Sequence, residues 1–125
     1  MTAPSIRVLL IDDETDYSET MGFWLMAQGY RVRTVPSGSE GILALREEVP
    51  DVVFLDMLMP GMNGIETLAA IRDITPDLPV VMVTAYASPE KKREAIRLGA
   101  AGFFSKSEDF SEAARLIKET LDNLR

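Results

Sequence analysis

Short apolar runs alternate with stretches of helical period along the whole chain. Val8-Leu9-Leu10-Ile11, Val52-Val53-Phe54-Leu55 and Val80-Val81-Met82-Val83 are wholly apolar and rich in β-branched residues. Such runs are too short for isolated helices and suit strands covered on both faces of a parallel sheet. Arg31-Val32-Arg33-Thr34-Val35 alternates polar with apolar, and Gly102-Phe103-Phe104-Ser105 is brief; these two are expected at the sheet edges. Between the runs the period turns helical. Met21, Trp24, Leu25 and Gln28 form one stripe that Gly29 ends. Ser37 with Glu40 reads as a capping box for a second helix, with Ile42, Leu45 and Val49 facing inward. A third helix begins near Gly64, carries Leu68 and Ile71, and stops before Pro76. Ser88-Pro89 opens a fourth that Gly99 closes. Asp109 caps a fifth, in which Phe110, Ala114, Ile117, Leu121 and Leu124 are the apolar stripe while Arg115 and Lys118 face water.

The order is strand then helix, five times over, with no internal repeat and no linker long enough to separate domains. That predicts an α/β fold: a doubly wound (βα)5 three-layer sandwich on a five-stranded parallel sheet, with right-handed crossovers. With the second and fifth strands at the edges, the strand order is 2-1-3-4-5, the flavodoxin-like arrangement. A length of 125 residues is that of one domain, expected to span 1–125.

Composition narrows the chemistry. The chain has no Cys and no His, which removes disulfides, thiolate nucleophiles, imidazole bases and soft-metal ligands. Carboxylates, hydroxyls, Lys and Arg are left. The net charge of -7 lacks the basic face that phosphate neutralisation needs, so direct nucleic-acid binding is not expected. No apolar run reaches the ~18–20 residues of a membrane span, and the first residues lack a signal-peptide pattern; a cytoplasmic location is expected. Neither G-x-x-x-x-G-K nor G-x-G-x-x-G occurs, which argues against nucleotide binding.

Ligands of an open parallel sheet bind at the carboxyl ends of its strands, so the residue after each apolar run matters. Asp12 and Asp13 follow the first strand, Asp56 the third, Thr84 the fourth and Lys106 the fifth. Taken singly, each has a plain structural reading: an Asp as turn former or cap, Thr84 as a strand residue, Lys106 as an edge charge. Together they place three carboxylates, a hydroxyl and an ammonium in one small pocket. Three unpaired carboxylates so close repel by several kcal/mol at intermediate dielectric, so the cluster calls for a cation. Oxygen ligands without imidazole select Mg²⁺, with Mn²⁺ as the alternative.

At these residues the sequence resembles the receiver domain of two-component response regulators. The resemblance rests on Ile11-Asp12-Asp13, on Asp56-Met57-Leu58-Met59-Pro60-Gly61-Met62-Asn63-Gly64, on Val83-Thr84-Ala85 and on Lys106. It covers roughly Ile6 to Leu124, with the motifs in order at the expected strand ends. It implies that Asp56 is the phosphoacceptor in a phosphorelay, taking the phosphoryl group from a phosphohistidine. The donor that the resemblance implies is a sensor histidine kinase or a phosphotransfer protein; this chain has no His, so the imidazole comes from another molecule. Asp13 and Asp56 would hold Mg²⁺ directly with the backbone carbonyl of Leu58, and Asp12 through a water. Leu58, Thr84, Ala85 and Lys106 would bind the phosphoryl group, and Thr84 with Phe103 would form the switch. That switch would lead to the face of the fourth helix, fifth strand and fifth helix, where self-association or effector binding is implied. Phe103 also reads as a plain edge-strand core aromatic, and Lys91, Lys92, Arg93 and Glu94 as a solvated face.

Such a domain is not a turnover enzyme; it promotes its own phosphorylation and dephosphorylation. The chain departs from the family in having Ser107 where Pro usually follows the Lys, so a trans peptide is expected there. Pro60-Gly61 and Asn63-Gly64 read as turn dipeptides. The resemblance implies that the positions two after the acceptor Asp and two after the Thr influence phosphoryl lifetime. Here they are Leu58, which cannot orient a water, and Tyr86, whose ring can shield the site or whose hydroxyl can hold a water, so a long-lived phosphoryl group is expected. The alternative is that both side chains point to solvent or a partner and leave the rate unchanged. An alternative within the fold is a pseudo-receiver that binds partners without taking phosphate. An Asp-nucleophile phosphohydrolase would need an acid two residues after Asp56, where Leu58 stands. The chain reads as a stand-alone regulator or as one domain of a longer protein.

Overall fold

The computed structural model describes residues 5–85 and 88–123. Among these, strands β1 (Arg7–Ile11), β2 (Arg31–Val35), β3 (Val52–Asp56), β4 (Val80–Thr84) and β5 (Gly102–Ser105) alternate with helices. The helices are α1 (Thr15–Ala27), α2 (Gly38–Glu47), α3 (Gly64–Ile74), α4 (Pro89–Arg97) and α5 (Phe110–Asp122). Every strand pairing is parallel and the order is β2-β1-β3-β4-β5. Edge and centre fall as the hydrophobic pattern predicts: β3 and β4 are buried along their whole length, whereas β2 buries only Val35.

The two-residue period of the strands sorts their side chains between two cores. Val8, Leu10, Val52, Phe54, Val81, Val83 and Phe104 pack with Met21 and Leu25 of α1 and Ala113 and Ile117 of α5. Leu9, Ile11, Val53, Leu55, Val80 and Met82 face the other way, onto Ala44 and Leu45 of α2, Leu68 and Ile71 of α3 and Ala95 of α4. Three layers result, with the sheet in the middle. Arg72 of α3 ties two helix ends on the second face. Its Nε donates to the Leu98 carbonyl at 2.8 Å and Nη2 to Gly99 at 2.9 Å, satisfying carbonyls that the end of α4 leaves open, and Nη1 donates to the Leu78 carbonyl before β4 at 2.7 Å.

Several local expectations shift. Gln28 is exposed, because it is the C-cap of α1 and lies beyond the helical stripe; Gly29 follows at φ 100° as the helix stop. Val49 is exposed because α2 ends at Glu47 and Glu48 is extended, which turns the next residues off the inward face. In α5 the buried line runs Ala113, Ile117 and Thr120, while Phe110, Ala114 and Leu121 are half-buried beside it; Leu124 lies outside the described residues. Ser37 caps α2 by accepting from Glu40 N at 3.2 Å. The reciprocal capping box belongs to α3, where Asn63 and Glu66 bond each other's backbone N–H. Asn63-Gly64 is thus a helix start instead of a turn, whereas Gly61 does turn the chain, at φ 72°.

Candidate functional site

Strand order reverses between β1 and β3, and β1 leads directly into Asp12 while β3 ends at Asp56. The parallel ladder runs one residue beyond several strand ends: Asp12 N donates to Val35 O at 3.1 Å, Met57 N to Val83 O at 2.8 Å and Lys106 N to Thr84 O at 3.0 Å. Backbone bonds therefore fix the residues that carry the polar groups. Strand parity sets their direction, since Asp12 continues the Val8–Leu10 series and Asp56 the Val52–Phe54 series toward the α1 and α5 face. Glycine closes the loop behind Asp56. A Cβ on Gly64 would stand 2.4 Å from the Asp56 carbonyl oxygen and 2.6 Å from Met57 Cα, so only glycine lets α3 start against the end of β3.

The structure brings Asp12, Asp13, Asp56 and Lys106 together. Asp12 is 4% and Asp56 3% exposed, and Asp13 sits at the exposed edge. One carboxylate oxygen from each of the three lies within 4.8 Å of the others. Lys106 Nζ stands 3.1 Å from Asp12 Oδ2 and 3.3 Å from Asp56 Oδ2. Leu58 N donates to Asp56 Oδ1 at 3.3 Å, and Glu14 N to Asp12 Oδ1 at 2.8 Å. Burial, and then the neighbouring Asp12, push the Asp56 carboxyl up to about 7, against the opposite pull of Lys106 and the Leu58 N–H. For Lys106, burial pulls the ammonium down, but Glu14, Asp12 and Asp56 outweigh it and hold it above its ordinary value.

Thr84 is buried at the last ladder position of β4, one step past Val83, which pairs with Asp56. Thr84, Ala85, Lys92 and Phe103 line one open cavity with Phe104, Ser105 and Glu108, at the ends of β4 and β5. Phe103 is half-buried against the α2–α4 core, with Lys92 Nζ 5.7 Å from its ring centre. Leu58 is exposed at the rim; Tyr86 lies outside the described residues. No cis peptide bond occurs among the described residues, in line with the expected trans Lys106–Ser107. Ser107 shares a 2.8 Å hydrogen bond with the Ser105 hydroxyl and donates its N–H to the same oxygen at 3.3 Å, closing the turn into α5.

Two residues at the site were not singled out from sequence. The Glu14 carboxylate pairs with Lys106, and the Tyr17 ring lies 5.0 Å from Lys106 Nζ. Burial pushes the Tyr17 phenol up to about 12, and its hydroxyl has no hydrogen-bond partner among the described residues. The signal was present: Glu14 extends the acidic run, and Tyr17 lies three residues on, on the same side of the first turn of α1.

The donor set fits a hard divalent cation. It consists of carboxylates alone, two of them buried, and burial together with the neighbouring Asp12 charge raises the Asp56 carboxyl. Mg²⁺ suits such a site; it prefers one or two carboxylates plus waters and phosphate oxygens.

Over residues 8–118 the chain matches the family model of the response regulator receiver domain. It therefore belongs to the receiver domains of two-component response regulators, a family of signalling phosphoacceptors. It is 33% identical over 125 residues to the transcriptional regulatory protein ZraR of Klebsiella oxytoca, covering all of this chain and 28% of that protein. The chain thus spans little more than a quarter of that relative's length. Among solved structures, a CheY-like response regulator receiver domain protein from Methanospirillum hungatei superposes with a TM-score of 0.92 at 28% identity, covering 96% of each chain. The chemotaxis protein CheY4 of Vibrio cholerae gives 0.90 at 29% identity, covering 94% of this chain and all of that one.

Proposed function

We propose that the 125 residues act as one receiver domain in which Asp56 is the phosphoacceptor. The observation that supports this most is the placement of the Lys106 ammonium within 3.3 Å of a buried Asp56 carboxylate that also belongs to a three-carboxylate cluster. In the step proposed, an Asp56 oxygen attacks the phosphorus of a phosphoimidazole. The new P–O bond forms as the P–N bond breaks, and the electron pair leaves with the imidazole, which takes a proton. Such transfer needs positioning and charge neutralisation more than covalent help. Lys106 neutralises one phosphoryl oxygen, and the Thr84 hydroxyl with the Ala85 and Leu58 backbone N–H groups bonds the others. Asp13, Asp56 and the Leu58 carbonyl would hold Mg²⁺, with Asp12 acting through a water. When bound, the ion screens the repulsion between Asp56 and the incoming phosphate. Thr84 and Phe103 form the switch toward α4, β5 and α5, where the exposed Ile96 of α4 supports self-association or effector binding.

The donor is a sensor histidine kinase or a phosphotransfer protein, the place of action is the cytoplasm, and the domain is a signalling acceptor instead of a turnover enzyme. No described helix is long and apolar enough to cross a membrane. Incubation with acetyl phosphate and Mg²⁺ should add one phosphoryl group, stable in acid and labile in base. Asp56→Ala or chelation of the metal should abolish the addition. Stoichiometric labelling of the Ala variant would refute the assignment, and an unlabelled parent would favour the pseudo-receiver alternative.

A further inference from the structure

Lys106 touches three carboxylates that do not belong to one set. Asp12 and Asp56 are members of the cation cluster, whereas the Glu14 carboxylate is outside it. An ammonium and a divalent cation on the same two carboxylates would face each other within a few ångströms, with twice the repulsion of two unit charges. The ammonium has to move when the cation enters. Its side chain is only 11% exposed, so simple release into water is not open to it. Glu14, by contrast, has a side chain 64% exposed at the rim and already reaches the ammonium. The Glu14 backbone N–H is fixed on Asp12 Oδ1 at 2.8 Å, so its carboxylate stays beside the cluster without entering it. One helical turn on, the Tyr17 ring offers its face to the same ammonium at 5.0 Å, a favourable seat for a cation.

We infer that Glu14, backed by the Tyr17 ring, is the holding position that keeps the Lys106 ammonium paired once a divalent cation has displaced it from Asp12 and Asp56. The inference rests on the metal reading given above. Glu14 is on this account a positioning residue. It acts on the cation through Lys106, leaving the ammonium charged and within reach of a phosphoryl oxygen. Without it, the displaced ammonium has no carboxylate of its own and resists the metal more strongly.

The test is a four-way Mg²⁺ titration by calorimetry on the full chain, with no phosphodonor present: parent, Glu14→Gln, Lys106→Met and the double variant. Glu14→Gln should weaken Mg²⁺ binding roughly three- to tenfold while Lys106 is present, and less than twofold when Lys106 is Met. Lys106→Gln supplies a second neutral background, and circular dichroism verifies that each variant is folded. An equal loss in both backgrounds would mean that Glu14 attracts the cation by its own charge, which overturns the inference, as would no loss in either. Absence of Mg²⁺ binding by the parent would overturn the metal reading itself, a result distinct from a failed coupling.

Discussion

Asp56 is a carboxyl buried beside Asp12 and held at about 7, and this has a consequence for stability. In the unfolded chain its value is near 3.8. A carboxyl raised on folding binds more protons in the native state over the interval between the two values. Its contribution to stability is therefore fully present below about 4 and is lost as pH rises through about 7. The chain has no His, so no ordinary imidazole titrates across that window. Metal-free protein should lose on the order of 2–4 kcal/mol of unfolding free energy between pH 5 and 8. Urea titrations in chelator will show the slope, and Asp56→Asn should flatten it. A flat profile in the parent would mean that Lys106 compensates Asp56 fully. The acidic residues themselves were legible in sequence because each follows an apolar run. The partners Glu14 and Tyr17 were not, because their roles depend on where Lys106, more than eighty residues away, lays its side chain.

At the scale of elements, the strands and helices follow from hydrophobic period and from caps that act locally. The Ser88 and Asp109 caps, the Gly29 and Gly99 stops and the edge positions of β2 and β5 all follow such local rules. The rotation of the α5 stripe toward Ala113 and Thr120, with Phe110, Ile117 and Leu121 still on the core, and the outward Val49 have a different origin, since helix rotation and the last turn are set by packing against the sheet. The clamp of Arg72 on the end of α4 is equally invisible, because its acceptors are backbone carbonyls that carry no residue signature. The loop after Asp56 shows both kinds of control. Gly61 answers to its positive φ, with open space around it, whereas Gly64 answers to backbone atoms 2.4 and 2.6 Å from the missing Cβ. Gly64→Ala should destabilise by roughly 1–3 kcal/mol through overpacking, despite the better helix propensity of Ala. It should also lower labelling at Asp56, because the atoms it displaces belong to Asp56 and Met57. Chemical denaturation and phosphoryl uptake together check this; an unchanged stability would show that the loop has room to relax.

For the whole molecule, the fold is a frame that brings the ends of four strands, β1, β3, β4 and β5, to one sheet edge and leaves them electrostatically unfinished. Mg²⁺ that binds the native cluster and not the unfolded chain should stabilise by about 1.4 kcal/mol at ten times its dissociation constant, raising Tm by about 4–6 °C. Asp13→Asn should shrink the rise, and a Tm indifferent to millimolar Mg²⁺ would contradict the cluster's role.

The central claim, that Asp56 takes the phosphoryl group, is tested most directly by trapping the bond where it forms. Borohydride reduces an acyl phosphate, but not a free carboxylate, to the corresponding alcohol. The protein, phosphorylated with Mg²⁺ and acetyl phosphate, would be reduced, digested and sequenced by mass spectrometry. Homoserine is expected at position 56 and at no other position. Homoserine at position 12 or 13, or phosphoryl uptake with no reduced residue in the Met57 peptide, would contradict the claim.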